Sequence, residues 1–169
     1  MNISTRLTVA EDKLMMWALY ESAMKPYIEA IWGWDQAWQD ADFEKGFASS
    51  ANYVVEADGV FSGYVQLDEG GDENYLRMLI LAPSLRSKKV GALLLGEFLN
   101  RSREAGRDMR LRVFRINSGA KRFYEREGWQ VASEDEVFFL MRCGDGHVAK
   151  IPGARYERKT VHYEFSVRL

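Results

Sequence analysis

The chain has 169 residues, enough for one domain with its own core, and 47% of them are hydrophobic against 28% charged, the balance of an ordinary globular protein. A net charge of −2 with acids and bases interleaved speaks against nucleic acid or an anionic membrane surface as the partner. Cys143 has no second cysteine to pair with, no apolar run is long enough to span a membrane, and the N-terminus shows no basic segment leading into an apolar core, so a cytoplasmic protein off the membrane is the expectation.

Residues 5–10 alternate polar and apolar, with Thr and Val favouring a first strand. Glu11 and Asp12 put acids where a following helix has its positive end. Leu14, Trp17, Ala18, Tyr20 and Met24 then recur at helical spacing. Pro26 interrupts that segment, Gly33 punctuates it again, and Asp35 can cap a further helix to about Ala48. Residues 11–48 are therefore expected as two or three helices with kinked joints. Strands at 52–57 and 60–68 are joined by Asp58-Gly59, a tight-hairpin pair. Glu69-Gly-Gly-Asp72 turns the chain into the nearly continuous apolar run 75–82, the pattern of a central strand covered on both faces. A helix over 88–103 carries Val90, Leu93, Leu94 and Phe98 on one stripe; a strand over 109–114, a helix over 118–127 and strands over 129–133 and 136–142 follow. The order is β-α-α-β-β-β-α-β-α-β-β, an α/β mixture with antiparallel neighbours in the middle and crossovers later.

Residues 1–143 then form one domain and 144–169 an extension. The extension has turn chemistry at Gly144-Asp-Gly146 and Pro152-Gly153, then an alternating segment with Val161, Tyr163, Phe165, Val167 and Leu169 on one face. Such a strand either joins this chain's own sheet or pairs with a second subunit in a homodimer.

Three places carry chemistry. The strand at 75–82, the turn at 83–87 and the helix from Lys88 leave backbone N–H groups free at a helix start, a ready anion site. Asn117 stands where it can cap the helix over 118–127, worth ~1 kcal/mol over Ala. Tyr124 follows seven residues later, two turns on and on the same face. Upstream, Tyr27, Glu29, Trp32, Trp34 and Asp35 gather aromatic rings and carboxylates, with Trp38 making three of the five tryptophans in seven residues. That mixture suits an ammonium group, although core packing of a helix pair would use the same rings. His147 and His162 are far apart and a lone cysteine adds no partner set, so no metal is expected.

Asn117, Tyr124-Glu125 and Gly128-Trp129, with Arg86 and Gly91 upstream, resemble the cofactor half of the GNAT acyltransferases, the Gcn5-related N-acetyltransferase family, within a likeness covering roughly residues 3–142. The resemblance implies a single α/β (α+β) domain: a mixed, mostly antiparallel seven-stranded sheet, opened in a V near its centre and flanked by helices, with an extra C-terminal strand. It implies acetyl-CoA as co-substrate, no metal, and direct acetyl transfer to a primary amine on a small molecule or peptide. Arg86, Ser87, Lys88, Lys89, Val90, Gly91 and Ala92 would hold the pyrophosphate, Leu79, Ile80 and Leu81 the pantetheine and acetyl carbonyl, and Asn117 would also touch the pantetheine. Tyr124 would protonate the departing thiolate, chemistry open to a phenol of ordinary pKa about 10. Tyr27, Glu29, Trp32, Trp34 and Asp35 would wall the acceptor mouth.

Two departures from the family pattern stand out. Lys89 occupies the first consensus glycine of the pyrophosphate loop and Ser87 a frequent extra one, where a side chain crowds the approach of phosphate, while Lys88 and Lys89 add positive charge. Five residues ahead of Asn117, where some relatives place a glutamate, this chain has Arg112. The general base stays open among Glu21, Glu29, Asp35, Glu73 and a water chain. The departures and the tail strand also allow a catalytically silent domain that binds acyl-CoA, or a protein partner through that strand.

Overall fold

Asp58 and Gly59 both take positive φ, 50° and 79°, the backbone a two-residue hairpin needs to match strand twist. They join β2 (Ala51–Ala57) to β3 (Val60–Asp68). The computed structural model describes residues 1–144 together with the backbone of two strands at 155–159 and 162–168. The remaining elements are β1 (Asn2–Leu7), α1 (Lys13–Trp32), α2 (Gln36–Ser49), β4 (Glu73–Leu81), α3 (Val90–Glu104), β5 (Asp108–Phe114), α4 (Ser118–Arg126), β6 (Trp129–Glu134), β7 (Phe138–Cys143), β8 (Arg155–Lys159) and β9 (His162–Arg168).

The strands form one sheet in the order β6-β7-β5-β4-β3-β2-β1-β9-β8. Among the described strands only β4 and β5 run parallel, and they pair over just Glu73–Leu76 against Asp108–Leu111. Beyond Leu76 and Leu111 the two strands part, which opens the expected V. One sheet face packs against α3 and α4, with Leu76, Leu94, Phe98, Leu111 and Trp129 at its centre. The other packs against α1 and α2 through Met16, Tyr20, Ile28, Tyr64, Ile80 and Phe114.

A bulge sits where the strands part. Leu67 pairs with Leu76 and Gln66 with Met78, which leaves Arg77 without a partner on β3. The extra residue resets the alternation: Leu76, Leu79 and Leu81 face α3 and α4, while Met78 and Ile80 face α1 and α2. The uninterrupted apolar run of β4 hides this, because an apolar residue is acceptable at every position of a strand buried on both sides.

Four details differ from expectation. Pro26 lies inside a single 20-residue helix and does not break it. Pro26 has no N–H for the carbonyl of Ser22, but Tyr20 and Ile28, buried on either side of it, clamp the helix to the sheet. The first strand covers Asn2–Leu7 rather than 5–10. Val9 is drawn off by Asp12, whose Oδ2 accepts from the Val9 N–H at 2.8 Å and whose carboxylate takes both terminal nitrogens of Arg6 at 2.7 and 2.9 Å. The third helix starts at Val90, not Lys88. In the extension, β9 pairs antiparallel with β1, Asn2 opposite Arg168, so it lengthens the chain's own sheet. β8, not expected at all, pairs outside it. The turn at 152–153, most of that at 144–146 and the facing of Val161 to Leu169 lie outside the described residues. Among those described, no helix is long and apolar enough to cross a membrane.

Candidate active site

A cleft of about 930 Å³ opens at the parting of β4 and β5. Leu79, Ile80 and Leu81 line its floor, Arg86, Ser87, Lys89, Gly91 and Ala92 one end, Asn117 and Tyr124 one wall, and Ser22 to Tyr27 of α1 the opposite rim. Thus ten of the residues expected at the cofactor half converge on a single cavity, with Tyr27 of the acceptor set. Lys88 is exposed outside it and Val90 is fully buried beneath it.

The loop before α3 resolves the tension over its missing glycines. Ser87 and Lys89 both adopt the left-handed backbone, φ 60° and 63°, that glycine would take at no steric cost. The loop keeps a glycine-like path with side chains on it, at ~1–2 kcal/mol per residue. Lys89 is the N-cap of α3 and makes no side-chain capping bond, which leaves the first N–H groups of the helix and its positive end toward the cleft. Arg86 folds back so that its Nε donates to the Leu81 carbonyl at 3.3 Å. Gly91 serves packing: a Cβ there would sit 3.3 Å from the Phe123 ring, so its absence lets α3 and α4 close up.

On α4, the Asn117 side-chain oxygen accepts from the Ala120 N–H at 3.1 Å, the helix cap expected of it. Tyr124 rests against Trp129 and Phe123 at ring separations of 6.4 and 5.2 Å. Burial, and then the neighbouring Tyr75 phenol, push its pKa up to about 12. The hydroxyl therefore stays protonated throughout the physiological range and can only give a proton. At the floor, a Cβ on Gly63 of β3 would lie 2.5 Å from the Ile80 carbonyl oxygen. Glycine at 63 is what lets β3 approach the strand that faces the cavity.

The rest of the acceptor set disperses. Asp35 is the N-cap of α2, accepting from the Trp38 N–H at 3.0 Å. Trp34 packs on Trp17, and its Nε1 donates to Gln36. Glu29 is exposed on α1 away from the cavity lining. Trp32, 60% exposed, leans on Phe114 and Phe138 at 5.9 and 6.1 Å, and Tyr27 stacks on Phe114 at 6.2 Å. None of the four carboxylates weighed as base lines the cavity. Glu73 is held by Arg142, which draws its pKa down, and Glu21 is paired with Lys25 at 3.6 Å.

Phe114, Phe138 and Tyr75 escaped sequence reading. They lie on three strands, and only the pairing of those strands, Phe114 opposite Phe138 and Tyr75 opposite Arg110, gives them a common neighbourhood. Period-two alternation along β5 would have placed Phe114 beside Arg112, but nothing local says what covers them.

The model of the acetyltransferase (GNAT) family matches residues 16–129. No curated protein matches the chain by sequence. Among solved structures, a PaiA N-acetyltransferase from Thermoplasma acidophilum in complex with coenzyme A superposes with a TM-score of 0.70 at 22% identity, over 85% of this chain and 99% of that one. A ribosomal-protein alanine N-acetyltransferase from Escherichia coli gives 0.65 at 16% identity, over 86% and 98%. A spermidine N-acetyltransferase chimera built in part from Vibrio cholerae gives 0.62 at 19% identity, over 83% and 94%.

Proposed function

Because the chain belongs to the acetyltransferase (GNAT) family, we propose that it is an N-acetyltransferase, passing acetyl from acetyl-CoA directly to a primary amine on a small molecule or peptide. One observation carries the reading: a single cavity runs from the free N–H groups of α3, along the unpaired edge of β4, to a phenol held protonated.

In this reading residues 1–143 are the catalytic domain and 144–169 an added extension. The pyrophosphate lies against the start of α3, where Arg86 to Ala92 supply backbone donors and Lys88 and Lys89 add charge. The edge of β4 past Leu76 has no strand to bond on the β5 side. Those backbone groups of Leu79, Ile80 and Leu81 that do not bond β3 would hold the pantetheine amides and polarise the acetyl carbonyl, the Leu81 carbonyl being the one that Arg86 already engages, and the Asn117 amide borders the same path. The thioester supplies an activated acyl group. The amine attacks it, the C–S bond breaks, Tyr124 delivers its proton to the sulfur, and the proton the nitrogen then sheds passes to water, from which the tyrosinate is reprotonated. Glu21, Glu29, Asp35 and Glu73 do not line the cavity, whose lining carboxylate is Glu127 at the C-terminal cap of α4; in this reading the amine loses its ammonium proton to water before it attacks. The buried Cys143 thiol, its pKa raised by burial, is suited to a cytoplasmic enzyme. β9 already occupies the free edge of β1, so a homodimer joined strand to strand would pair through β8.

Calorimetric titration with acetyl-CoA and CoA, followed by thiol release across an amine panel, tests the proposal. Micromolar affinity, about 8 kcal/mol, with amine-dependent release is the expected result. No binding at millimolar acetyl-CoA would overturn it.

A further inference from the structure

We propose that the acceptor carries a carboxylate as well as its amine, and that Arg112 binds that carboxylate; this rests on the acetyl-transfer reading and narrows it. Arg112 is the first β5 residue past the point where pairing with β4 stops at Leu111. Met109, Leu111 and Val113 are buried toward α3 and α4, so Arg112 projects from the opposite face, beside Phe114.

Its surroundings hold the guanidinium in place without closing an ion pair on it, the charge of Asp135 acting on it only at longer range. The group lies 4.4 Å over the Phe138 ring and 5.6 Å from the Tyr75 ring, and its Nε donates to the Tyr75 hydroxyl at 3.0 Å. The carboxylates nearby are already engaged. Glu73 is taken by Arg142 at 3.0 Å and Arg110 at 3.8 Å, and Glu134 by Arg115 at 3.2 Å. Asp135 accepts from the backbone N–H groups of Val137 and Phe138 at 2.8 and 2.7 Å. Arg110 and Arg142 thus share the one carboxylate of Glu73, and Arg112 on the same face forms no ion pair among the described residues. A planar fork fixed through Nε, with its terminal nitrogens facing solvent, matches a carboxylate in two-pronged contact.

The wall between Arg112 and the cavity is aromatic. Tyr27 lines the cavity and stacks on Phe114, which stacks on Phe138 at 4.9 Å, which underlies Arg112. An acceptor with its amine in the cavity reaches Arg112 along this ledge. The same charge repels a polyamine.

The test pairs acceptors that share an amine and differ only in charge. β-Alanine is compared with its amide, 4-aminobutyrate with its amide, and a Ser-Asp-Ala peptide with Ser-Asn-Ala, the last pair separating a peptide source from free amino acids. Spermidine completes the set. Acetylation is followed by thiol release with the wild type, Arg112→Gln and Arg112→Lys. The wild type should favour at least one acid over its amide by about ten- to a hundredfold in kcat/KM, the effect of one charge-assisted pair. Arg112→Gln should remove the preference while leaving amide rates and the KM for acetyl-CoA within about twofold, and Arg112→Lys should keep part of it. Equal rates on acid and amide, or a preference for spermidine, would overturn the inference and leave acetyl transfer standing. No thiol release with any acceptor would overturn acetyl transfer; the subsite would then stand if the CoA-loaded protein bound the acids more tightly than the amides in the wild type alone, and fall if it bound them equally.

Discussion

At its cofactor end the cleft is made by one run of chain, from β4 through the loop into α3, joined by the next crossover helix, α4. At its acceptor end it is rimmed by α1, whose Tyr27 packs on Phe114 of β5, itself opposite Phe138 of β7, next to where β4 and β5 part beyond Leu76 and Leu111. The cofactor end uses backbone groups and a helix terminus, whose placement follows from secondary structure. The acceptor end uses side chains, whose placement follows from packing. A site of the first kind tolerates substitution of its side chains, as Ser87 and Lys89 illustrate by keeping a left-handed backbone. One of the second kind changes character with each residue.

The largest expected effect breaks the chemistry and spares both ends. Tyr124→Phe should lower kcat by about 10²–10⁴-fold while acetyl-CoA affinity, measured by calorimetry, stays within a factor of about two. With the Tyr124 pKa raised to about 12, the hydroxyl is protonated at every lower pH. The wild-type kcat/KM should therefore climb with deprotonation of the acceptor amine and show no falling limb below about pH 11. A falling limb near pH 9 would remove Tyr124 from the acid role.

Gly63→Ala tests the cofactor end through its backbone. The added Cβ meets the Ile80 carbonyl at 2.5 Å, so β4 must shift. Stability should fall by about 1–3 kcal/mol, seen in chemical denaturation, and acetyl-CoA should bind about tenfold more weakly. At the acceptor end, Tyr27→Ala should raise the acceptor KM about tenfold by removing the ring that joins the cavity to Phe114. Asp35→Ala should instead cost about 1 kcal/mol of stability through the lost cap and leave turnover within about twofold. Equal kinetic damage from these two would erase the distinction between a cavity residue and a helix cap.

Lys89→Gly gives the smallest effect. Relief of the left-handed backbone (~1–2 kcal/mol) outweighs the added chain entropy (~0.5–1 kcal/mol), so stability should hold or rise slightly. Acetyl-CoA affinity should drop a few-fold at low ionic strength and less in high salt, as expected for a lost surface charge.

Local patterns determined a good deal of this protein. Asp58-Gly59 announces its hairpin, Asn117 its cap, and Asn117 with Tyr124 a shared helix face, because each depends on residues within two helical turns or one tight turn. The family likeness rested on that same stretch. Three things were decided by tertiary structure alone. Pro26 sits in an unbroken helix because the flanking buried residues pack on a sheet far away in sequence. Arg77 is bulged, sending Leu79 and Leu81 to one face and Ile80 to the other, because β3 sets the register of β4. Asp35 and Trp34 became a cap and a packing contact while Tyr27, Phe114, Phe138 and Arg112 came together, because a side chain's neighbours across a sheet depend on which strands pair and where they part. Hydrogen-bonding and conformational preferences act within a few residues and can be read along the chain, whereas burial is shared among distant segments and exists only once they meet.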